Sequence, residues 1–441
     1  MIFMSVYGKI SAVSPSQDEV DDYLDLQNGL INRKRDSNFC KHGDEGMCDY
    51  CSPIEPFDEK YLEDNKIKHM SLHSYIKSLY SEIKNPQMKE LPILDEPDYT
   101  VKRNCPSHAP YPDGLCTKCQ PSAIVLQRQK FRIVDHIEFQ HSYIVENFIG
   151  YWRSTGYQRF GYLYGKYVPY DEVPLGIKAE VHAIYEPPQD CSVDGFELLA
   201  DPLLPAVDRM SEILGLQKVG MIYSDLTDDG TNTGKVLNKR NTDTFFVSGL
   251  ETMFMAQMQL HNKSRCKHSS SGKFGSKFVT VIATGDENGG IALTEFQASN
   301  ACMAMTDAGI IEASTDPSLV LVSECTNTKY VPEVFYKYKN EYNVQVQQAA
   351  NPTFPVEYLL VRLTHGFPSN PSLLFSGVAS FPTLNRPDMK KPALTDLKKY
   401  LETDLELFAK FANFEFLCYL LELSMISNVF ESKFRMILCV C

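Results

Sequence analysis

A duplicated cluster of cysteine and histidine near the start constrains this chain more than any other feature. Cys40-x-His42 is followed by Cys48-x2-Cys51, and later Cys105-x2-His108 is followed by Cys116-x2-Cys119. Each set offers three thiolates and one imidazole at the spacing of zinc ligands, and four such donors fill a tetrahedral shell. With no position left for water, a site of this kind is structural, and metal binding folds a segment too small to bury a core of its own. Gly46 and Gly114, each two residues before the third ligand, suit the tight turn that presents a Cys-x2-Cys knuckle. Recurrence of the spacing argues against free cysteines with incidental histidines. Two structural zinc ions are therefore expected, one on Cys40, His42, Cys48 and Cys51, the other on Cys105, His108, Cys116 and Cys119.

The chain has 441 residues, more than one hydrophobic core usually serves, so several units are expected. Residues 1–39 read as a flexible polar lead-in whose runs Asp18, Glu19, Asp21, Asp22 and Arg33, Lys34, Arg35 are solvated. Residues 40–120 hold the two clusters and a connecting segment, 121–300 a mixed α/β domain, and 301–441 a partly helical domain. Lys and Arg total 43 against 56 Asp and Glu, leaving a charge of −13. Such a surface repels polyanions at long range, so nucleic acid is not expected as a partner. No run reaches the ~18 apolar residues of a spanning helix, and MIFMSVYGKI lacks the features of a secretory leader. Thirteen cysteines, an odd number partly gathered with histidine, suit a reducing compartment, the cytoplasm or nucleus.

Periodicity places the elements. Met70, Tyr75 or Ile76, and Leu79 lie at helical spacing. In GIKAEVHAIYEPP, Ile177, Ala179, Val181, Ala183 and Tyr185 alternate with Lys178, Glu180 and His182, predicting a half-buried strand. Leu203, Val207, Met210 and Leu214 predict a helix that ends at Gly215, and Lys218 to Ser224 a further strand. The Ser-, Gly- and Lys-rich stretch 264–276 reads as a mobile surface loop. Leu397, Leu401, Leu405, Phe408, Ala412 and Phe416 form one helical stripe. FESKFRMILCVC, with no cap and no clear period, reads as a truncated end.

Several segments resemble the nuclear protein localization protein four family: HGDEGMCDYCSPIEPFDEKYL with HMSLHSYI, GLCTKCQPSAIVLQRQKFRIVDHIEF, FGYLYGKY with VPLGIKAEVHAIYEPPQ, SGKFGSKFVTVIATG, FQASNACMA, YVPEVFY and PVEYLLV. The likeness covers about residues 38–425. It implies an MPN domain, the scaffold of the JAMM metalloproteases that cleave ubiquitin chains, behind the two zinc fingers and ahead of a C-terminal helical domain. An active JAMM centre needs a His-x-His-Pro motif, an aspartate ten residues on, and a glutamate as general base. At the matching positions stand Gln158, then Tyr223, Ser224, Asp225 and Leu226, so the base and both imidazoles are missing. Ser248 and Glu251 match the Ser-x-x-Asp portion, and also suit a helix start with Ser248 as N-cap. His69, His73, His136, His182, His261, His268 and His365 are not spaced to build another open site and are expected to be structural.

What the resemblance implies is therefore an adaptor that is not an enzyme: a ubiquitin-binding recruiter for the valosin-containing-protein AAA ATPase, paired with a ubiquitin-fusion-degradation protein. Its fingers would rest on the ATPase ring and a groove of the MPN domain would hold unfolded ubiquitin. Polyubiquitinated clients would include proteins drawn from the endoplasmic reticulum, which the chain would meet only through partners. The family's N-terminal ubiquitin-like domain, which docks the unfoldase, needs some seventy residues or more against the 39 ahead of Cys40, so that docking is expected to be weak. The competing reading is an active JAMM-type deubiquitinase, against which Gln158, Tyr223 and Asp225 stand.

Overall fold

The computed structural model describes residues 17–43, 46–85, 91–103, 105–231, 233–375 and 380–424. Residues 430–441, expected as a truncated tail, lie outside them, as do residues 1–16 of the lead-in. A mixed sheet of eight strands forms the body. Its order is Leu360–Arg362, Ile291–Ala298, Val279–Gly285, Gln217–Asp225, Phe160–Tyr170, Gly176–Tyr185, His136–Phe139 and Thr364–Gly366. The first and last strands are nearly consecutive in sequence. Leu360–Arg362 pairs with 296–298 and Thr364–Gly366 with 136–138, so one short segment supplies both end strands and ties the two edges together. The sheet thus draws on residues beyond 300 and crosses the boundary expected there, because two edges need a common strand to close.

Alternation explains the central strands. Ile177, Ala179, Val181, Ala183 and Tyr185 are all buried, as their spacing predicts. His182, predicted on the exposed face, is buried as well. The helix Phe414–Glu422 and Phe375 cover that side, and burial pushes its imidazole down to about 4. One face of the sheet packs Val145, Phe148, Ile149 and Trp152 of helix Ser142–Thr155. The other takes helices Gly249–His261 and Asn300–Asp307 around Phe160, Met221, Ile282 and Phe296. Helix Leu204–Ile213 ends as expected at Gly215, whose φ of +74° is a left-handed conformation that glycine adopts without strain. The predicted helix around Tyr75 spans Leu72–Glu82, capped by Ser71, and the strand Gln217–Asp225 covers the predicted Lys218 to Ser224.

Further expectations are corrected. Asp18 to Asp22 do not lie on a solvated tail: helix Glu19–Leu26 buries Val20 and Leu24 in the main core. This seats Asp21 and Asp25 against His73, at 3.0 and 3.2 Å. Lys277 joins Asp18 and Asp21, while Lys267 and His268 reach Asp25 at 2.8 and 3.1 Å. The carboxylates tolerate burial because each has cationic or hydrogen-bonding partners. Nor is 264–276 a loose loop. Cys266 and Phe274 pack with Leu72, Ile76, Leu94, Phe131 and Ile133, and the amides of Ile93 and Leu94 both donate to the His268 carbonyl at 2.9 Å. Two apolar side chains in a polar stretch sufficed to anchor it.

The predicted C-terminal stripe is three helices, Leu394–Leu401, Leu407–Phe411 and Phe414–Glu422. Asn413 Oδ1 accepts from the Phe416 amide at 2.8 Å and so starts a new helix, which breaks the stripe and leaves Leu401 and Phe408 exposed. The last helix still docks on the body, packing against Tyr164, Val207 and Met210. No helix among the described residues is long and apolar enough to cross a membrane.

Candidate functional site

Each predicted cluster assembles, with its four donor atoms lying within 4.8 Å of one another. In the first, Cys48 Sγ lies 3.7 Å from Cys40 Sγ and 3.8 Å from Cys51 Sγ, and His42 Nε2 is 3.2 Å from Cys51 Sγ. In the second, Cys116 Sγ lies 3.7 Å from both Cys105 Sγ and Cys119 Sγ, and His108 Nε2 is 3.3 Å from Cys119 Sγ. A tetrahedron with metal–sulfur bonds of about 2.3 Å has an edge of about 3.8 Å, so the sulfur spacing fits a zinc-sized ion.

The surroundings organise these donors in the same way twice. The amide of Cys48 donates to Cys51 Sγ at 3.3 Å and that of Cys116 to Cys119 Sγ at 3.2 Å. His42 Nδ1 lies 2.8 Å from the Gly43 carbonyl and His108 Nδ1 2.6 Å from that of Ala109, which selects the tautomer whose Nε2 is free for a metal. The backbone N–H of Tyr50 brings Cys48 down to about 7, and that of Lys118, with help from His108, brings Cys116 down to about 6. Both thiols are thus prepared to shed their protons, as metal ligands must. Gly114 is required by close approach: a Cβ there would sit 2.5 Å from His108 Nδ1.

Sequence reasoning missed the braces of the first cluster. Arg33 donates to the carbonyls of Asp49 and Ser52, and Arg35 to that of His42, so the basic run read as solvated holds the first knuckle in place. The aromatic pair Phe39 and Tyr50 stacks at 5.1 Å beside it. A basic run directly before the first ligand was the available signal, though nothing in it names its acceptors.

A second locus lies at the end of the strand Gln217–Asp225, where the resemblance places a metalloprotease centre. Gln158 is buried, and its amide is fully used. Nε2 donates to the carbonyls of Val193 and Leu226 at 2.8 and 2.7 Å, and Oε1 accepts from Ser224 Oγ and the Leu226 amide, each at 3.0 Å. Tyr223 OH donates to Glu251 Oε1 at 3.0 Å. Ser248 and Glu251 form the expected capping box of helix Gly249–His261. Between the carboxylates sits Arg240, which nothing in the sequence pattern singled out. Its Nε donates to Asp225 at 2.7 Å, and its terminal nitrogens reach both Glu251 oxygens at 2.5 and 3.1 Å and the Phe246 carbonyl at 2.8 Å. Burial pushes the Glu251 carboxyl up, but the Arg240 guanidinium more than offsets this and holds it below its ordinary value.

No imidazole enters this corner. Among the described residues, only the two Cys/His clusters bring three or more candidate metal donors together. The expected structural roles of the scattered histidines agree with His73 and His268 lying in the carboxylate network and His69 Nδ1 lying 2.7 Å from the Gln129 carbonyl.

Comparison with known proteins places this architecture. Residues 159–439 match the family model described as "NPL4 family", and residues 15–156 the one described as "NPL4 family, putative zinc binding region". The chain is similar to three proteins named nuclear protein localization protein 4. That of Schizosaccharomyces pombe is 45% identical over 419 residues, spanning 93% of this chain and 73% of the relative. That of Kluyveromyces lactis is 45% identical over 440 residues, spanning 94% and 73%. That of Saccharomyces cerevisiae is 44% identical over 427 residues, spanning 92% and 73%.

Proposed function

The chain belongs to the NPL4 family, and from that premise we propose that it is a non-catalytic adaptor stabilised by two zinc ions. It would recruit polyubiquitinated proteins to the valosin-containing-protein AAA ATPase together with a ubiquitin-fusion-degradation partner. Cys40, His42, Cys48 and Cys51 would hold one ion, and Cys105, His108, Cys116 and Cys119 the other. With four protein donors each, neither ion keeps a position open for a reacting water. Their contribution is folding energy for two segments that present loops to a partner.

In this reading the eight-stranded body with its flanking helices is an MPN domain whose reaction centre has been replaced. The observation that carries the reading is Arg240. A guanidinium bonded to Asp225 and Glu251 occupies the space between two carboxylates and neutralises the charge that would attract a metal cation. Gln158 cannot accept a proton from water as a carboxylate base would. Binding surface and chemistry are separable, so a body of this shape keeps the capacity to hold ubiquitin without cutting it. Activity would lie in the nucleus and cytoplasm, and at the endoplasmic reticulum through partners; the relatives' printed name is in keeping with the nucleus.

Reconstitution tests this directly. Purified chain, ATPase and ubiquitin-fusion-degradation partner are expected to unfold a ubiquitinated fluorescent reporter in an ATP-dependent way, while the chain alone leaves diubiquitin intact. Chelator-sensitive cleavage of diubiquitin by the wild-type chain would refute the reading in favour of a metallo-deubiquitinase. Loss of neither unfolding nor reporter binding on omitting the chain would refute the adaptor role.

A further inference from the structure

A cleft of about 890 Å³ is lined by none of the eight Cys/His donors and by neither Arg240, Asp225 nor Glu251, though Phe246, whose carbonyl Arg240 holds, forms part of its wall. One wall is the segment between the two clusters, around residues 61–74. The other is built from residues 128–135 and from the strand Leu360–Arg362 at the seam of the sheet. A parallel bridge between Met70–Ser71 and Phe131–Arg132 closes its floor and fixes Arg132 in the wall.

This cleft is basic in an acidic protein. Lys66, Lys68, Arg128, Lys130, Arg132 and Arg362 line it. Only Arg128 has a carboxylate partner, Glu357 at 2.6 Å; the other five make no ion pair among the described residues. Arg132 Nε is shielded from solvent and has no hydrogen-bond acceptor. An unsatisfied charged donor costs on the order of 1–3 kcal/mol or more, and the buried Asp135, whose charge acts on Arg132 without a hydrogen bond to Nε, meets only part of that cost. His69 also lines the cleft, but its Nδ1 donates to the Gln129 carbonyl and burial, with Arg132 nearby, keeps the ring neutral, so its Nε2 adds no donor. Two acids oppose this field. Glu172 lies at the rim, and Asp135 is buried with Oδ1 unpartnered. Burial pushes the Asp135 carboxyl up to about 7, so toward and below neutral pH it meets an anion as a neutral donor.

The groups left without partners are therefore almost all cations and donors, the complement of an acceptor-only ligand of high negative charge. A guanidinium fork matches phosphate oxygens closely, and lysines add charge without demanding a fixed geometry. We propose that this cleft binds a small ligand bearing several phosphate groups, clamping the segment between the Cys/His clusters to the seam of the sheet. The overall charge of −13 does not oppose this. At physiological salt, charges beyond about 8 Å are largely screened, and the five local cations dominate inside the cleft. The ligand would bridge Arg132 and Arg362 on the body to Lys66 and Lys68 on the facing segment.

Titration calorimetry of the full chain with tripolyphosphate, near 0.15 M salt, tests the proposal, with zinc content counted before and after to detect chelation. One saturable site and unchanged zinc are expected. Lys68→Ala combined with Arg362→Ala, two exposed positions that leave folding intact, is expected to weaken binding at least tenfold, roughly what loss of one or two charge-assisted hydrogen bonds gives. Arg132→Gln is expected to do the same, its folding checked by circular dichroism. Lys337→Ala, outside the cleft, is expected to leave affinity unchanged. Absence of saturable binding overturns the proposal, as does equal affinity in the double variant. Heat that tracks zinc release overturns it too, and so does an equally charged glutamate peptide binding as tightly, which would assign the cleft to an acidic protein segment.

Discussion

Replacing Arg240 by alanine removes the one cation from a corner that holds Asp225, Glu251 and the Tyr223 hydroxyl. Arg240 is 8% exposed and bonds both carboxylates and the Phe246 carbonyl. Removing one partner of a buried ion pair costs about 3–5 kcal/mol, because the remaining charge stays buried and unpaired. The carboxylates retain side-chain exposures of 27% and 21%, so water screens part of the loss and the lower end, about 3 kcal/mol, is expected. Adding Glu251→Gln should recover about 1 kcal/mol by removing the repulsion between Asp225 and Glu251. The assay is urea unfolding followed by the chain's one tryptophan. Trp152 Nε1 donates to the Leu226 carbonyl at 3.1 Å, next to this corner, so its emission reports on the affected region. A loss below about 1 kcal/mol, or a double variant less stable than the single one, would refute the claim that Arg240 replaces a metal as the charge balance here. Neither variant should cleave diubiquitin, since no imidazole becomes available.

Three further predictions follow from the same geometry. Gln158→Glu, which installs the residue type of a JAMM base, should destabilise the protein by about 2–3 kcal/mol in chemical denaturation, because two carbonyls lose their donor and face an anion; it should not confer cleavage. Cys48→Ser and Cys116→Ser should each lose one equivalent of zinc by elemental analysis, and Gly114→Ala should weaken only the second site, since its Cβ would press on His108. The clasp around helix Glu19–Leu26 should depend on pH, read by amide exchange of residues 20–26. Burial opposes ionisation of Asp21 and Asp25, but hydrogen bonds from His73, and from His268 at Asp25, bring both below their ordinary carboxyl value. For His73, burial disfavours the charged ring while Asp21 and Asp25 raise it above 6.5. Depressed carboxyls stabilise above about pH 4 and lose that contribution as pH falls further; a raised imidazole stabilises fully below about 6.5 and loses its contribution as pH rises through its folded value. Protection should therefore be greatest between about pH 4 and 6.5 and decline on either side, and a flat profile would count against the clasp.

Legibility in the sequence followed the range of the interaction involved. The eight candidate metal donors were readable because local spacing dictates a knuckle: Cys-x2-Cys closes on itself through amide–sulfur bonds three residues apart. The strand Gly176–Tyr185 and the helix Leu204–Ile213 were readable because one-sided burial leaves a period in the residues. The loop 264–276 and the acidic helix Glu19–Leu26 were misread for the converse reason. Their composition is polar, and what holds them is a partner distant in sequence: Asp21 meets His73 and Lys277, and His268 meets Asp25.

The order of residues by itself determined which atoms could bind metal and that Gln158, Tyr223 and Asp225 stand where the resemblance would put a metalloprotease's base and imidazoles, since both are questions of chemical identity. Only the tertiary structure decided what surrounds those positions. Arg240 reaches Asp225 and Glu251 from a separate loop, and the seam segment 360–366 joins two edges of the sheet from far along the chain. Such pairings carry no local period, because the free energy that selects them comes from burial and charge neutralisation that exist only once the chain has closed on itself.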